Sequence, residues 1–300
     1  MLKVILSFDL EFSVGGAFGD LNKVPLSNQL FDYSNCKGNG FNEVLSVLNS
    51  YNTKATFFTE ILQSYFFKKN VMGQYVDLLL KNQQDIQMHT HPCWKQFKGM
   101  GRALLEKAPV DDFNNTSITE IIDDLGYGLN IFDTWGVKRP KAFRAGNLVS
   151  NTLLYSALFE CGFELSSNIG LNYHIPKEKE LQVENCISNI SNIWEIPVTT
   201  FQSMGCRDKV LTITGTSLRE MKSVLKKCIE KEIKYVVVLT HIHEYLKYKD
   251  NLVKKNKVNI SRLENICHYI NESKEIEFDS FGDIDVHNLK KTNSNNSIFC

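Results

Sequence analysis

Apolar residues along this chain follow two periods in alternation. Residues 2–8 form a compact run of branched and aromatic side chains, the pattern of a buried strand, which delivers Asp9-Leu10-Glu11 at its carboxyl end. Phe41, Val44, Leu45 and Leu48 recur at helical spacing before Lys54-Ala55-Thr56-Phe57-Phe58 opens a second strand. Val76, Leu79 and Leu80 mark another helix, leading into Asp85-Ile86-Gln87-Met88-His89-Thr90-His91, a strand that Pro92 stops. Ser117 to Glu120 has the capping-box pattern, with Ile121, Ile122, Leu125, Leu129 and Phe132 as the helical stripe behind it. A short strand over 141–147 carries Arg144, and Leu153, Leu154, Ala157, Leu158 and Cys161 predict a helix that Gly162 ends. Residues 163–169 and 193–198 read as strands, the second with Pro197 near its end. Ser217 and Glu220 repeat the capping box ahead of Met221, Val224, Leu225 and Cys228, and 235–240 is the clearest buried strand, ending at His241. A helix over 259–271 and a short strand near 276–278 complete the pattern. Strands and helices alternating in this way predict parallel strands with crossover helices, and 300 residues suit a single α/β barrel domain.

The polar residues change this from a fold to a site. Parallel α/β folds gather their chemistry at the carboxyl ends of the strands, and the strands assigned here end at Asp9, His89, Arg144, Trp194 and His241. Side chains two apart on a strand share a face, so Asp9 pairs with Glu11 and His89 with His91. Two imidazoles and a carboxylate are a common protein contribution to a catalytic divalent metal, and a further carboxylate can take a proton from the activated water.

Composition narrows the class. The formal net charge is zero, which argues against a nucleic-acid binder, and the Lys-rich run over 247–257 is broken by Asp250 and asparagines, as in a solvated loop. Eight cysteines are scattered with no Cys-x-x-Cys pair, suiting free thiols in a reducing compartment. The apolar run at the amino terminus is too short for a secretory signal, and no segment is long enough to span a membrane; the expectation is a cytoplasmic protein. Residues 15–40 read as a functional loop, 95–115 as a polar excursion over the strand ends, and the Asn/Ser/Lys-rich stretch 288–300 as a disordered tail behind a domain spanning 1–287. Nothing in the sequence sets the oligomeric state.

In five places, in order, the chain resembles the polysaccharide deacetylase family, the NodB-homology domain of carbohydrate esterase family 4. Ser7-Phe8-Asp9-Leu10-Glu11 is similar to its first motif, usually Thr-Phe-Asp-Asp-Gly, and Lys54-Ala55-Thr56-Phe57-Phe58 to its second-strand signature. The stretch from Asp85 to Trp94 resembles the His-bearing second motif in a His-x-His-Pro form. Phe143-Arg144-Ala145-Gly146 resembles the third motif, and Leu239-Thr240-His241 the fifth.

The resemblance implies a distorted (β/α) barrel that hydrolyses N-acetyl groups on a carbohydrate with zinc or another divalent ion. It implies Asp9 as catalytic base, His89 as metal ligand, His241 as the acid that protonates the leaving amine, and Arg144 as the group that orients Asp9. Two departures matter. Leu10 stands where the family places a metal-binding aspartate, so Glu11 is the candidate replacement, and His91 or Cys93 must serve as the second ligand of the motif, with His91 preferred because a thiolate would soften the site. Trp94 and Trp194 are candidate sugar-stacking surfaces, and His243 is a less favoured substitute for His241. His174, His268 and His287 carry no strand-end signal. The competing readings are hydrolysis of another carbon–nitrogen bond, in a formamide or ureide, and a carbohydrate-binding protein that has lost its metal.

Overall fold

The computed structural model of the chain describes residues 1–14, 16–23, 25, 40–98, 107–203, 207–249, 252–292 and 297–299. Its centre is β1 (Leu2–Leu10), in which alternate residues face two different cores. Val4, Leu6, Phe8 and Leu10 point outward into the layer beneath the helices, whereas Ile5 points inward among the residues that fill the barrel. Ser7 and Asp9 share the inward face, so the period of two decides which residues reach the site.

Helix α1 (Gly40–Ser50) buries Phe41, Val44, Leu45 and Leu48, the predicted stripe, and β2 (Thr56–Glu60) follows. Helix α2 (Lys69–Lys81), β3 (Asp85–Thr90), α3 (Ile118–Thr134) and β4 (Ala142–Ala145) come next, then α4 (Thr152–Glu160) and the two-residue β5 (Leu165–Ser166). The capping box at Ser117 and Glu120 forms as its sequence requires, and Asn151 caps α4 by accepting the Leu154 N–H at 2.9 Å. Gly162 ends α4 in the left-handed region, φ +78°, where a side chain would be strained.

The rest of the chain adds the antiparallel pair β6 (Ser188–Ile190) and β7 (Ile193–Glu195), a hairpin of β8 (Thr200–Ser203) and β9 (Arg207–Val210), and α5 (Leu218–Glu230) behind its own capping box. Then come β10 (Tyr235–His241), the hairpin β11 (Leu246–Lys249) and β12 (Leu252–Lys255), α6 (Lys257–Asn271) and β13 (Ile276–Phe278). The main sheet runs β10-β1-β2-β3-β4-β5-β7-β6, and β13 pairs with Leu2–Val4 of β1 while β2 pairs further along. All its pairs are parallel except β6 with β7. Beyond β7 the chain bridges the two ends of the sheet: Val198 N–H donates to Ile169 O at 2.8 Å and Thr199 N–H to Val237 O at 3.1 Å. The result is a distorted (β/α) barrel.

Several expectations are corrected. The strand read over 163–169 shrinks to β5, because its following residues turn to wrap the carboxylate of Glu195. The strand read over 193–198 stops at Glu195, where the donors of the next residues go to β5 and β10 instead of one neighbour. The Lys-rich run is a hairpin leading into α6, its main-chain groups satisfied by antiparallel pairing. The described part of the tail is docked rather than free: Leu289 and Ile298 are buried, and Thr292 N–H donates to Ile187 O at 3.0 Å. Most of the loop over 15–40, and residues 99–106 of the polar excursion, lie outside the described residues. No helix among the described residues is long and apolar enough to cross a membrane.

Candidate metal centre and active site

Register brings the strand ends together. Asp9 lies level with His241 across β1 and β10, Glu60 level with His89 across β2 and β3, and His89 level with Arg144 across β3 and β4. Glu11 follows β1 on the inward face, and its Oε2 lies 3.4 Å from His89 Nε2 and 2.7 Å from His91 Nε2. One donor atom from each of these three residues falls within 4.8 Å of the others. Bonds of ~2.0–2.1 Å in a tetrahedral zinc site place neighbouring donors roughly 3.3 Å apart, which matches the Glu11–His89 separation, while the Glu11–His91 contact at 2.7 Å is a hydrogen bond that has to open to admit a cation. His89 supports this fit, because its Nδ1 donates to the Arg144 carbonyl at 2.9 Å and leaves Nε2 as the free donor.

His91 lies between two acids. Its Nε2 faces Glu11, and its Nδ1 donates to Asp111 Oδ2 at 2.6 Å. Burial works against a charged imidazole, but Glu11 and Asp111 outweigh it and hold His91 well above the usual histidine range. Burial likewise works against the Glu11 carboxylate, yet His91, His89 and His241 hold it well below its usual range.

Beneath this cluster Arg144 is fully buried. It donates to Asp9 Oδ1 at 2.7 Å, to Ser7 Oγ at 2.9 Å and to Ser167 Oγ at 3.1 Å, and its guanidinium lies over the Phe58 ring at 4.1 Å from the centroid. With Oδ1 of Asp9 so held, Oδ2 faces His241 Nε2 at 3.7 Å. The other nitrogen of His241 is 3.4 Å from Glu244 Oε1. Burial disfavours the charged ring, but that contact and the charges of Glu11 and Asp9 push His241 up to about 9. The ring of His243 lies tilted beside that of His241, and burial followed by the charge of His241 lowers its pKa, so it takes up a proton less readily than His241.

Above this donor cluster opens a cleft of about 280 Å³ walled by Glu11, Phe18, His91, Trp94, Asp111 and His243, among others. Asp9, Glu11, His89, His91, Arg144 and His241 are therefore brought together. Cys93 lies with His91 and Asp111 in a second group of potential donors within 4.8 Å of one another, and its buried thiol is driven up by desolvation and by Asp111. Trp94 lines this cleft but is only 1% exposed, its ring tilted against Phe67 and Phe97. Trp194 packs against the inner core cluster from β7 and does not wall the cleft. His174, His268 and His287 lie elsewhere, His268 against Tyr51.

Sequence reasoning missed several participants. Glu60 and Glu195, both fully buried, accept main-chain N–H groups of the turns after β2 and β5, and burial pushes them up to about 8 and about 7. Glu244 was within reach, as the fourth residue of the His-Ile-His-Glu run. Asp111 stands in a polar stretch with no local signal. Gly146 is needed for close approach: a Cβ there would lie 2.4 Å from His91 Nδ1.

No family model and no curated protein matches the sequence. Among solved structures, a crystal structure described as a polysaccharide deacetylase from Mycobacterium smegmatis is similar at a TM-score of 0.54 and 12% identity, over 92% of this chain and 85% of that one. A family 4 carbohydrate esterase from Streptomyces lividans, in complex with acetate, aligns at 0.45 and 10% identity over 91% and 90%. A pseudoenzyme of that family from Bacillus anthracis aligns at 0.47 and 10% over 94% and 64%. By its strand order, its closure and the first of these likenesses, the chain has the fold of the polysaccharide deacetylases, the distorted barrel of the NodB-homology type.

Proposed function

We propose that this chain is a divalent-metal-dependent hydrolase that removes N-acetyl groups from a sugar or glycan precursor, in a cytoplasmic step of surface-polysaccharide assembly. The observation that carries the reading is the meeting, at one barrel mouth, of three donors for a cation with an oriented carboxylate and a charged imidazole on the opposite side. The likeness of fold supports the substrate class, and the described cysteines, all free thiols, support a reducing compartment.

A divalent ion held by Glu11, His89 and His91, zinc foremost, would polarise the acetyl carbonyl and make the attacking water a stronger acid. Asp9 is the base that accepts the water's proton, through the oxygen that Arg144 leaves uncovered. Arg144 does not touch the cleft; it acts through Asp9 as a positioning residue. His241, held charged by Glu244, gives its proton to the amine as the carbon–nitrogen bond breaks. The cleft is at the small end of the range of about 300–1,000 Å³ typical of ligand pockets, which suits one sugar ring. Phe18, 46% exposed on its wall, and Tyr173, 60% exposed and within electrostatic reach of Glu11, offer more open ring surface for stacking than Trp94, which lines the cleft at 1% exposure.

The test is release of acetate from N-acetylated sugars and glycan precursors by the purified protein, with and without divalent metal, beside Asp9→Asn and His89→Ala. Metal-dependent acetate release lost in both variants supports the reading. Release of formate from formamido sugars instead would move the chain to the formamide reading, and sugar binding with no bound metal and no turnover would make it a lectin-like barrel.

A further inference from the structure

His91 is the ligand for which the strand gives least support. It lies past the end of β3, at the entry to a 3-10 turn over Pro92–Phe97, and no sheet ladder holds it. Three other contacts replace that support. Its N–H donates to Glu60 Oε1 at 3.1 Å, and its ring rests directly on the backbone of Gly146. The third contact is Asp111, whose Oδ2 takes the proton of His91 Nδ1 at 2.6 Å.

Asp111 is itself immobilised at both oxygens. Oδ2 also accepts Asn147 Nδ2–H at 2.7 Å, and Oδ1 accepts the Cys93 N–H at 3.3 Å. Asn147 reaches it from a left-handed backbone, φ 53° and ψ 15°, immediately after Gly146. The carboxylate is nearly buried, with its side chain 7% exposed, so its negative charge is little screened.

We propose that Asp111 is a positioning residue for the cation site: it fixes the tautomer and plane of His91 so that Nε2 is presented beside Glu11 and His89. This rests on the metal-dependent reading above. The alternative, Asp111 as a direct ligand, puts it on the wrong side of the ring. Glu11 approaches Nε2 and Asp111 approaches Nδ1, and these atoms point to different places. His89 is oriented by a neutral carbonyl, whereas His91 is oriented by a carboxylate, which raises the basicity of the ligating nitrogen. The missing support of a strand is thus replaced by a charge from a distant loop.

The experiment uses the full chain and cobalt(II), whose visible absorption reports coordination number and whose near-ultraviolet absorption reports thiolate ligation. Binding constants for wild type, Asp111→Asn and Asp111→Ala are measured by titration, with thermal melting of the metal-free proteins alongside. Wild type should bind without a thiolate band. Asp111→Ala should bind about 10- to 100-fold more weakly with an unchanged visible spectrum, and Asp111→Asn, which keeps an acceptor oxygen, should fall between the two. Equal affinities in all three overturn the positioning role while leaving the metal reading standing. A changed visible spectrum in Asp111→Asn overturns it in favour of direct ligation. Wild type that binds no cobalt overturns the metal reading, and this inference with it.

Discussion

Removing the guanidinium of Arg144 tests the lower tier of the site without touching the cleft. Arg144 is 0% exposed and the side chain of Asp9 is 6% exposed, so solvent does little to screen their contact at 2.7 Å. Arg144→Met keeps an unbranched apolar side chain but takes the guanidinium from over Phe58, leaves Asp9 buried without its cation, and strips partners from Ser7 and Ser167. Breaking a buried pair from one side costs about 3–5 kcal/mol, because the surviving charge is left uncompensated. Asp9→Asn should cost less, since the amide oxygen still accepts from the guanidinium. The double variant Asp9→Asn, Arg144→Met removes both charges, so it should be more stable than the sum of the single changes by roughly 1–3 kcal/mol. Urea unfolding at pH 7 of the four proteins, with fixed m-values, gives the coupling. Additivity within about 0.5 kcal/mol would refute the account, since it would mean that Asp9 does not depend on Arg144 for its charge.

Gly146→Ala is expected to dislodge His91, because the added methyl carbon would fall 2.4 Å from Nδ1; metal affinity by titration should drop at least tenfold while the melting temperature changes little, and unchanged affinity would show that the ring does not rest there. Glu195 is pushed up to about 7 against an ordinary 4.5, so its folded form is the better proton binder and its contribution to stability is full below pH 4.5 and lost as pH rises through 7. Glu195→Gln should therefore gain on wild type by about 3 kcal/mol between pH 4.5 and pH 8 in denaturant unfolding, and a constant difference would contradict the assignment. Glu244→Gln removes the hydrogen bond that raises His241, so the basic limb of the pH–rate profile should move to lower pH; an unmoved limb would take His241 out of the acid role. Tyr173→Ala should raise KM for an N-acetylated sugar with kcat little changed, whereas Trp94→Phe should lower stability and leave KM alone, and the opposite pattern would restore Trp94 as the stacking residue.

The legible part of the fold is the part where local pattern and tertiary context agree. Both capping boxes, the stripe of α1 and the buried run of β10 stand where their residues put them, because propensity, periodicity and burial point the same way. The site was legible for a related reason: a strand's carboxyl end is a local feature, so Asp9, His89 and His241 could be placed without knowing their neighbours. The rest depends on contacts distant in the chain. Asp111 meets His91 from 20 residues away and Asn147 from 36, in a loop whose polarity matches any solvated loop. How much of each indole is exposed was not legible: Trp94 lines the cleft almost fully buried against Phe67 and Phe97, whereas Trp194 packs on the inner core. The short β5 was overextended because a carboxylate from another strand, Glu195, competes for the main-chain donors that a longer ladder would have used.

The two departures from the family pattern, at Leu10 and at His91, have one geometric cause. Leu10 is fully buried in the outer core, on the face of β1 opposite to Asp9, so a ligand there would have to leave the strand's alternation. Glu11 obeys it, and its carboxylate meets His89 and His91. His91 stands in the same relation to His89, and His243 to His241. Three strand ends thus each present a pair two residues apart, in two tiers. Of the three lower members, Asp9 and His89 are fastened to Arg144, one through its guanidinium and the other through its carbonyl, and His241 faces Asp9. The upper members, Glu11, His91 and His243, all wall the cleft. On the proposed reading the cation would span the tiers, held by His89 below with Glu11 and His91 above, while base and acid would come from the lower tier at Asp9 and His241. A shift of β1 by one residue relative to β2 or β10 would exchange Glu11 for Leu10 at the upper tier and remove the carboxylate from the donor set, so the register of β1 against these two neighbours is as much a part of the site as any candidate ligand.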